Sequence, residues 1–378
     1  MVQRECQSAW PNGGWFQDKK ERYCPRKAYS KMEETGKIII SVIYLALFIA
    51  AVLGNVFVVC LVLKKPAMKS PTNLLLVNMA AADLLFAVFM FPLAVIRYHV
   101  RALWIGGPFG DFTCHVMFFM SHLPIAGSTT TLTFIAFERF FAIVYPYRTI
   151  RIFQKVWAIT ISIWLSSAIL MSPVGISAVT TEINGKMQCD RDWSIFGDPM
   201  MVKRMFYNTT FVAMYADPLL VIAVLYTAIC RKLWKHNAPG QRGPLHARQN
   251  NTLHKRQIVT MLISIVIVFA LCWLPTHVQH ILLSHFPTVH ARFPLFVMVS
   301  MNLMGHINPA INPLILVVLS NRFRREFFKL LPRKRTARNR TAPLEESPNV
   351  SEDMRVQENG INSAAGLCTE RLGPGMGC

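Results

Sequence analysis

Glu138 and Arg139 are adjacent opposite charges at the inner end of a long apolar run, with Phe140 directly after them. An arginine near the middle of a lipid-facing helix costs roughly 2.5 to 3.5 kcal/mol even on the lenient insertion scale, so such residues usually face protein or water and mark function. The plainer alternative is that Arg139 ends the hydrophobic stretch at the headgroups. Other polar residues sit equally awkwardly in apolar runs: Asn55 after Gly54, then Asp83, Ser128, Asn308 and Asn312. A carboxylate among hydroxyl and amide oxygens suits a small hard cation. Interhelical hydrogen bonding without an ion accounts for the same residues at about 0.6 kcal/mol per contact. A third group follows Trp273, where Thr276, His277 and His280 recur at spacings that share one helical face. They make either a pocket wall or a packed interface with internally bonded histidines. His122, His277, His280 and His306 lack tetrahedral ligand spacing and an accompanying cysteine pair, which argues against a metal centre.

Long apolar segments must position these residues. The chain is 53% hydrophobic and 16% charged, against ~25% charged in soluble domains. A spanning helix needs about 20 mainly apolar residues, and seven segments qualify: Ile38–Leu63, Leu74–Ile96, Cys114–Tyr145, Val156–Ile176, Phe206–Ile229, Ile258–Leu283 and Phe293–Leu319. Seven spans place the termini on opposite sides. The net charge of +20 is concentrated in alternate loops, at Lys64, Lys65 and Lys69, at Arg148, Arg151 and Lys155, in the loop from Arg231 to Arg256, and from Arg322 to Arg340. That distribution argues against nucleic acid and, by the positive-inside rule, makes those loops and the C-terminus cytoplasmic and the N-terminus extracellular. The basic N-terminal segment, with Arg4, Lys19, Lys20, Arg22, Arg26 and Lys27, is the exception. No secretory signal peptide precedes the first span, which is expected to direct insertion itself.

Prolines punctuate the spans at Pro92, Pro173, Pro218, Pro275, Pro309 and Pro313. Each removes a backbone donor and tends to kink its helix. Of nine cysteines, Cys114 and Cys189 fall at outer positions where oxidising conditions permit a disulfide; the sequence does not decide whether Cys6 and Cys24 pair. Residues 178–181 and 186–188 flank Asn184-Gly185, a pair that favours a tight hairpin turn, although a simple packed loop fits too. The tail beyond Arg333, rich in Pro, Ser, Asn, Gly and charge, reads as disordered.

Taken in order, Gly54-Asn55 with Val58, Asp83, Cys114, Glu138-Arg139-Phe140 with Pro146, Trp164, Cys189, Pro218 with Tyr226, Phe269 with Cys272-Trp273-Leu274-Pro275, and Asn312-Pro313 carry a resemblance. Together they resemble the rhodopsin-like, class A G-protein-coupled receptors over residues 37 to 330. Phe109-Gly110 and Ile135 to Phe140 look most like the neuropeptide receptors, including the neuropeptide FF, RFamide and orexin group. The resemblance implies an all-α membrane protein: an extracellular segment over 1–36, a seven-transmembrane helix bundle over 37–320, a short amphipathic eighth helix over 321–331 and a disordered cytoplasmic tail over 332–378. It also implies a Cys114–Cys189 disulfide and a plasma-membrane receptor for an extracellular ligand, a short peptide, that activates a heterotrimeric G protein by outward movement of the sixth helix. Glu138, Arg139, Tyr226, Phe269, Trp273, Pro275, Asn312 and Pro313 would form the activation switch. The ligand would contact Trp104, Ser121, His122, His277, His280, Asn302 and His306, with the acids around Cys189 receiving any cationic side chain. No cofactor is required. Sodium is the cation expected at Asp83, Ser128, Asn308 and Asn312. Arrestin, after phosphorylation at Ser347, Ser351, Ser363 or Thr369, and anionic membrane lipid beneath Arg322 to Arg340 complete the expected partners.

The departures from the family pattern carry their own expectations. Ser121 stands where an amine receptor has aspartate, and His306 where a visual pigment has its retinal-bearing lysine. The RFamide group often has glutamine at Ser121. Leu316 replaces the tyrosine expected after Asn312-Pro313, and Pro309, Met79 and Thr129 also depart. Lys255 replaces an acid that in many relatives holds the switch arginine, which predicts appreciable basal activity. A receptor for a non-peptide small molecule or a light-independent orphan receptor is the nearest alternative. A transporter would show polar residues along a continuous path or internal repeats, and an enzyme a nucleophile and base, metal motif or phosphate loop; none of these is present in the sequence.

Overall fold

In the computed structural model, which describes residues 34–100, 103–146, 153, 155–183, 185–235 and 245–330, apolar side chains point outward and polar ones inward. Ile38, Leu45, Leu53, Ile169, Leu271 and Leu314 are exposed, whereas Asn55, Asp83, Ser128, Glu138, Asn308 and Asn312 are buried. That inversion suits helices whose outer faces meet hydrocarbon and whose polar groups must be satisfied within the bundle. Residues 331–378 lie outside the described residues. Cys6, Cys24, the basic N-terminal residues, Arg148, Arg151, Asn184 and the tail phosphorylation candidates lie outside them too.

The helices are α1 (Glu34–Lys64), α2 (Pro71–Val100), α3 (Gly107–Val144) and α4 (Val156–Ile176). After α4 the chain forms an antiparallel hairpin, β1 (Ala178–Ile183) paired with β2 (Lys186–Arg191), in the register Thr180↔Cys189 and Ile183↔Lys186. Gly185 takes a φ of +72° in its turn, a backbone region that costs glycine nothing. The fifth span, α5, covers Pro199–Trp234. The sixth and seventh, α6 (Leu245–His285) and α7 (Leu295–Leu319), are followed by α8 (Asn321–Leu330).

Local chemistry explains where these helices start and bend. Asp198 caps α5, its Oδ1 accepting from the backbone N of Met201 at 2.7 Å, with Pro199 in the first turn; capping and N-terminal proline both suit a helix start. Before Pro218 the helix widens into a π turn over Val212–Ala216, a common response to an interrupted hydrogen-bond ladder. Pro313 has no N–H for the carbonyl of Pro309, and Asn55 Nδ2 fills that vacancy at 3.0 Å while also bonding Ala51 O at 2.9 Å. Next to it, Gly54 lets α1 approach α7 closely: a Cβ at Gly54 would lie 2.8 Å from two ring carbons of Pro313. Asn55 therefore braces the α7 kink.

Six of the seven spans are helices both long and apolar enough to cross a membrane on composition; α3 is long enough at 38 residues but is not one of them. Its buried residues include Ser121, Ser128, Thr129, Thr131 and Glu138, so α3 is the bundle's central, protein-facing helix. Helices overrun the apolar segments read from sequence, α3 beginning at Gly107 instead of Cys114 and α5 at Pro199 instead of Phe206. Hydropathy marks only the part that needs lipid, and the extensions carry polar residues. On α8, Phe323 is buried and Phe327 packs edge-on against Phe57 of α1 at 5.6 Å, while Arg322, Arg324 and Arg325 face out. Lys65 and Glu326 form an ion pair that ties this helix to the α1–α2 connection.

Candidate functional site

At one end of the bundle, Arg139 binds Glu138 through both arms of its fork, Nε to Oε2 at 2.5 Å and Nη2 to Oε1 at 2.6 Å. Thr72 of α2 donates its hydroxyl to the same carboxylate at 2.5 Å. Bidentate, charge-assisted bonds of this kind are the strong class. Glu138 is almost wholly buried, so the pair is held sideways against α2 and α3. Tyr226 of α5 is buried within electrostatic reach of both charges. Leu316 of α7 is buried nearby in the core and has no hydroxyl to offer. Lys255 is exposed on α6, and among the described residues no carboxylate from α6 reaches Arg139.

Other residues hold α6 at this end. Gln257 Nε2 donates to Leu319 O, the last carbonyl of α7, at 2.8 Å, and Asn321 of α8 donates to Gln257 Oε1 at 3.1 Å. Arg256 donates to Leu233 O at 3.3 Å and lies over the Trp234 ring at 5.8 Å. Between α5 and α6 runs an apolar crevice of about 640 Å³ lined by Ile222, Tyr226, Arg231, Trp234, Ile263 and Ile267. The Arg256 contact crosses this loosely filled groove and the Gln257 bonds join α6 to the α7–α8 junction; such polar contacts can release without breaking a dense core, unlike interfaces packed to crystal-like density.

In mid-bundle Asn312 Nδ2 donates to Asp83 Oδ2 at 2.9 Å. Ser128 Oγ, Asn308 Oδ1 and Asn312 Oδ1 are buried and have no hydrogen-bond partner among the described residues. Asp83, Ser128 and Asn308 line one small cavity with Phe269 and Trp273, with space for the centre of about one water-sized particle (≈ 10 Å³). Native proteins rarely leave buried acceptors unpaired, and the oxygens of Asp83, Ser128 and Asn308 around this void, with Asn312 bonded to Asp83 beside it, make a donor set for a hard cation. Trp273 packs edge-on to Phe86 at 6.2 Å, and Gly305 of α7 admits its ring, since a Cβ there would sit 3.2 Å from it.

The opposite end is organised by the disulfide between Cys114 of α3 and Cys189 of β2. It lays the hairpin across the bundle and closes a separation of 75 residues. The residues expected to contact a ligand divide among several places. Trp104 belongs to the loop between α2 and α3: its Nε1 donates to Gly110 O at 3.0 Å and its backbone N to Met187 O at 2.9 Å. Ser121 is fully buried; its hydroxyl donates to Phe118 O at 2.9 Å and lies 2.9 Å from His122 Nδ1, which is also 2.9 Å from Phe118 O. His306 lies deep between α1 and α2, with Nδ1 2.8 Å from the hydroxyl of Tyr44. His277 and His280 turn toward α5, His280 stacked on Tyr207 at 4.6 Å and His277 tilted against Tyr215 at 5.0 Å. Trp273 and Thr276 turn instead toward α7, where Thr276 donates to Met301 O at 3.0 Å. The single face expected from their spacing thus serves two neighbours, because a 3.6-residue period spreads these four positions over about 100°. Asn302 is half-buried on α7.

The acids around Cys189, which the sequence offers to a cationic ligand side chain, also have local partners. Asp190 lies 3.7 Å from Arg97 and accepts the backbone N of Arg191 at 2.9 Å, and Asp192 accepts the backbone N of Ser194 at 2.8 Å. Sequence reasoning missed Arg97 and Arg191, whose guanidiniums both lie over the Phe118 ring at 5.7 Å. It missed Tyr44, Thr72, Tyr207 and Gln257 as well. Only the disulfide could have pointed to Arg191, two residues beyond Cys189.

Comparison with known proteins agrees with this arrangement. The family model for the 7 transmembrane receptor (rhodopsin family) matches residues 54–316. The chain is 29% identical over 325 residues to a QRFP-like peptide receptor of Branchiostoma floridae, covering 83% of this chain and 82% of that protein. It is 28% identical over 352 residues to galanin receptor 2a of Danio rerio, covering 91% and 92%. It is 28% identical over 304 residues to neuropeptide FF receptor 1 of Homo sapiens, covering 76% and 68%. With a paired arginine at one end, a polar cavity in the middle and a disulfide-tethered hairpin at the other, the chain is a multi-pass membrane protein belonging to the rhodopsin family of seven-transmembrane receptors.

Proposed function

We propose that this chain is a plasma-membrane receptor, N-terminus outside, that binds a short peptide at the hairpin end and activates a heterotrimeric G protein at the Arg139 end. The observation that carries the reading is the Glu138–Arg139 pair with its latched α6. A ligand that prefers the conformation with α6 swung outward and a G protein that prefers the same conformation are coupled reciprocally through it. In that conformation Arg139 leaves Glu138 and turns toward Tyr226 and the G protein, with Phe269, Trp273 and Pro275 forming the hinge and Asn312-Pro313 its α7 counterpart. A peptide is favoured over a small non-peptide ligand because the relatives above are named for peptides, and the hairpin lies over the mouth as a two-stranded lid. Nothing in the bundle favours a transporter.

Sodium fits the cavity beside Asp83: Ser128, Asn308 and Asn312 each have a buried oxygen without a partner among the described residues. The cation would supply positive charge where the bundle has a buried carboxylate, and these side chains would hold it and thereby brace the closed state. Tail phosphorylation would recruit arrestin, and the basic face of α8 would rest on anionic lipid at roughly 1 kcal/mol per basic residue near the surface. The testing experiment is guanine-nucleotide exchange on purified G proteins by the receptor in lipid nanodiscs. Acceleration that is lost in Arg139→Ala is expected, and no acceleration with any G protein, accompanied by solute flux in liposomes, would overturn the reading.

A further inference from the structure

The chemical class of ligand group follows from what the disulfide sets over α3. Phe118 is one helical turn from Cys114 and shares its face, and the bridge to Cys189 delivers Asp190 and Arg191 above that turn. The Arg191 guanidinium lies over the buried Phe118 ring at 5.7 Å and over the Trp193 ring at 5.7 Å. Arg97, from α2, lies over the same Phe118 ring. Two cations therefore converge on one aromatic side chain at the mouth of the bundle, and one acid, Asp190, accompanies them. Asp190 is occupied by Arg97 and by the backbone of Arg191. Among the described residues no carboxylate pairs with the Arg191 side chain, whose single polar contact is the Tyr207 hydroxyl at 3.5 Å, at the limit of a hydrogen bond. Tyr207 in turn stacks on His280, so Arg191 stands where α3, α5 and α6 meet. Among the described residues the other acids at this end have their own contacts or are exposed: Asp192 accepts the backbone N of Ser194, Asp111 binds Thr180, Asp198 caps α5, and Glu182 is exposed on β1.

Guanidinium chemistry completes the argument. Aromatic rings cover the flat faces of the group and leave its in-plane N–H donors free, and those donors form the fork that matches a carboxylate bidentately. A cationic ligand group at this place would face Arg191 and would have to displace Arg97 from Asp190. A carboxylate would meet an unpaired donor fork with the Tyr207 hydroxyl beside it. We infer that the ligand of this receptor presents a carboxylate to Arg191, with Arg97 as the adjoining cation. The inference rests on the peptide-receptor reading above and replaces the expectation that the acids around Cys189 receive a cationic side chain of the ligand. The carboxylate is either the peptide's C-terminus or an Asp or Glu side chain.

The test uses the full chain in nanodiscs and four matched tetrapeptide libraries as probes, free-acid or amidated at the C-terminus, each with Glu or Gln at one fixed position. Thermal stabilisation is read against peptide concentration, and basal nucleotide exchange by the wild-type preparation reports separately on the receptor reading. At least one carboxylate-bearing library is expected to stabilise the wild-type chain while the amidated Gln library does not. Free-acid Gln and amidated Glu libraries distinguish a terminal from a side-chain carboxylate. Arg191→Gln should weaken the effective library about tenfold or more, as loss of a hydrogen bond to a charged group does, and Arg191→Lys should restore part of it. Asp190→Asn, which frees Arg97, should strengthen it. Equal or better binding of the amidated Gln library, no effect of Arg191→Gln in a chain that retains its melting temperature, weakening by Asp190→Asn, or no stabilisation by any library would each overturn the inference.

Discussion

Replacing Gln257 by alanine should raise basal signalling. The glutamine side chain makes two hydrogen bonds that fix the inner end of α6 to the α7–α8 junction, 2.8 Å to Leu319 O and 3.1 Å from Asn321. Hydrogen bonds of this kind contribute about 0.5 to 1.5 kcal/mol each net of solvent. Both lie on the closed side of the equilibrium, because α6 cannot swing outward and keep them. Removing them shifts the balance by about 1 to 3 kcal/mol, a factor of roughly 5 to 150. The low end is the better guide here, since Asn321 is exposed and water can replace its bond. The assay is ligand-free G-protein sensor output in cells at matched surface expression, with the Gln257→Ala, Arg139→Ala double variant as the silent control. A basal signal equal to or below wild type, from a variant whose melting temperature is unchanged, would refute the latch. It would leave the basic residue at Lys255 as the sole ground for expecting basal activity.

Other outcomes follow from particular contacts. Gly54→Ala places a Cβ 2.8 Å from Pro313 and should cost about 1 to 3 kcal/mol through overpacking, whereas Gly127→Ala, whose Cβ would meet Trp164 at 3.5 Å, should be neutral or slightly stabilising; thermal unfolding in detergent compares them. Sodium, but not N-methylglucamine, should raise the melting temperature of the wild-type chain, and Asp83→Asn should abolish that increment; equal effects of both cations would argue against the site. Hydrogen bonding to Lys65, and then to Lys329, holds the Glu326 carboxyl below its usual value of 4.5. Because the folded value is depressed, its contribution to docking α8 is complete above the ordinary carboxylate range and is lost as pH falls through that lowered value. Wild type should therefore exceed Glu326→Gln in α8 protection from hydrogen exchange at pH 7, and the difference should vanish in acid.

Much of the framework was legible because each signal had a local cause. Apolar runs marked the spans, Asn184-Gly185 favoured a hairpin over a plain packed loop, and the bridge between Cys114 and Cys189 followed from the family resemblance. The third span is read from the apolar run Cys114–Tyr145, yet its most apolar stretch is less so than those of the other six, since its burial inside protein relieves it of the hydropathy that lipid demands. Contacts set by packing were not legible. Nothing in the sequence states that Asn55 satisfies a carbonyl freed by Pro313, because that depends on which face of α7 meets α1. Helical spacing put His277 and Thr276 on one face but could not say that α5 and α7 would divide it. Arg97 and Arg191 read as ordinary loop or helix-end cations until Phe118 brought them together. The acids near Cys189 looked available for the same reason: sequence counts charges, whereas only geometry pairs them.

The most direct measurement is nucleotide exchange by the full chain in nanodiscs against a panel of purified heterotrimeric G proteins. On this account the wild-type chain accelerates exchange on at least one of them, Gln257→Ala accelerates it further, and Arg139→Ala returns it to the rate of empty nanodiscs. Exchange indistinguishable from empty nanodiscs for the wild type and for Gln257→Ala, across the whole panel, would contradict it.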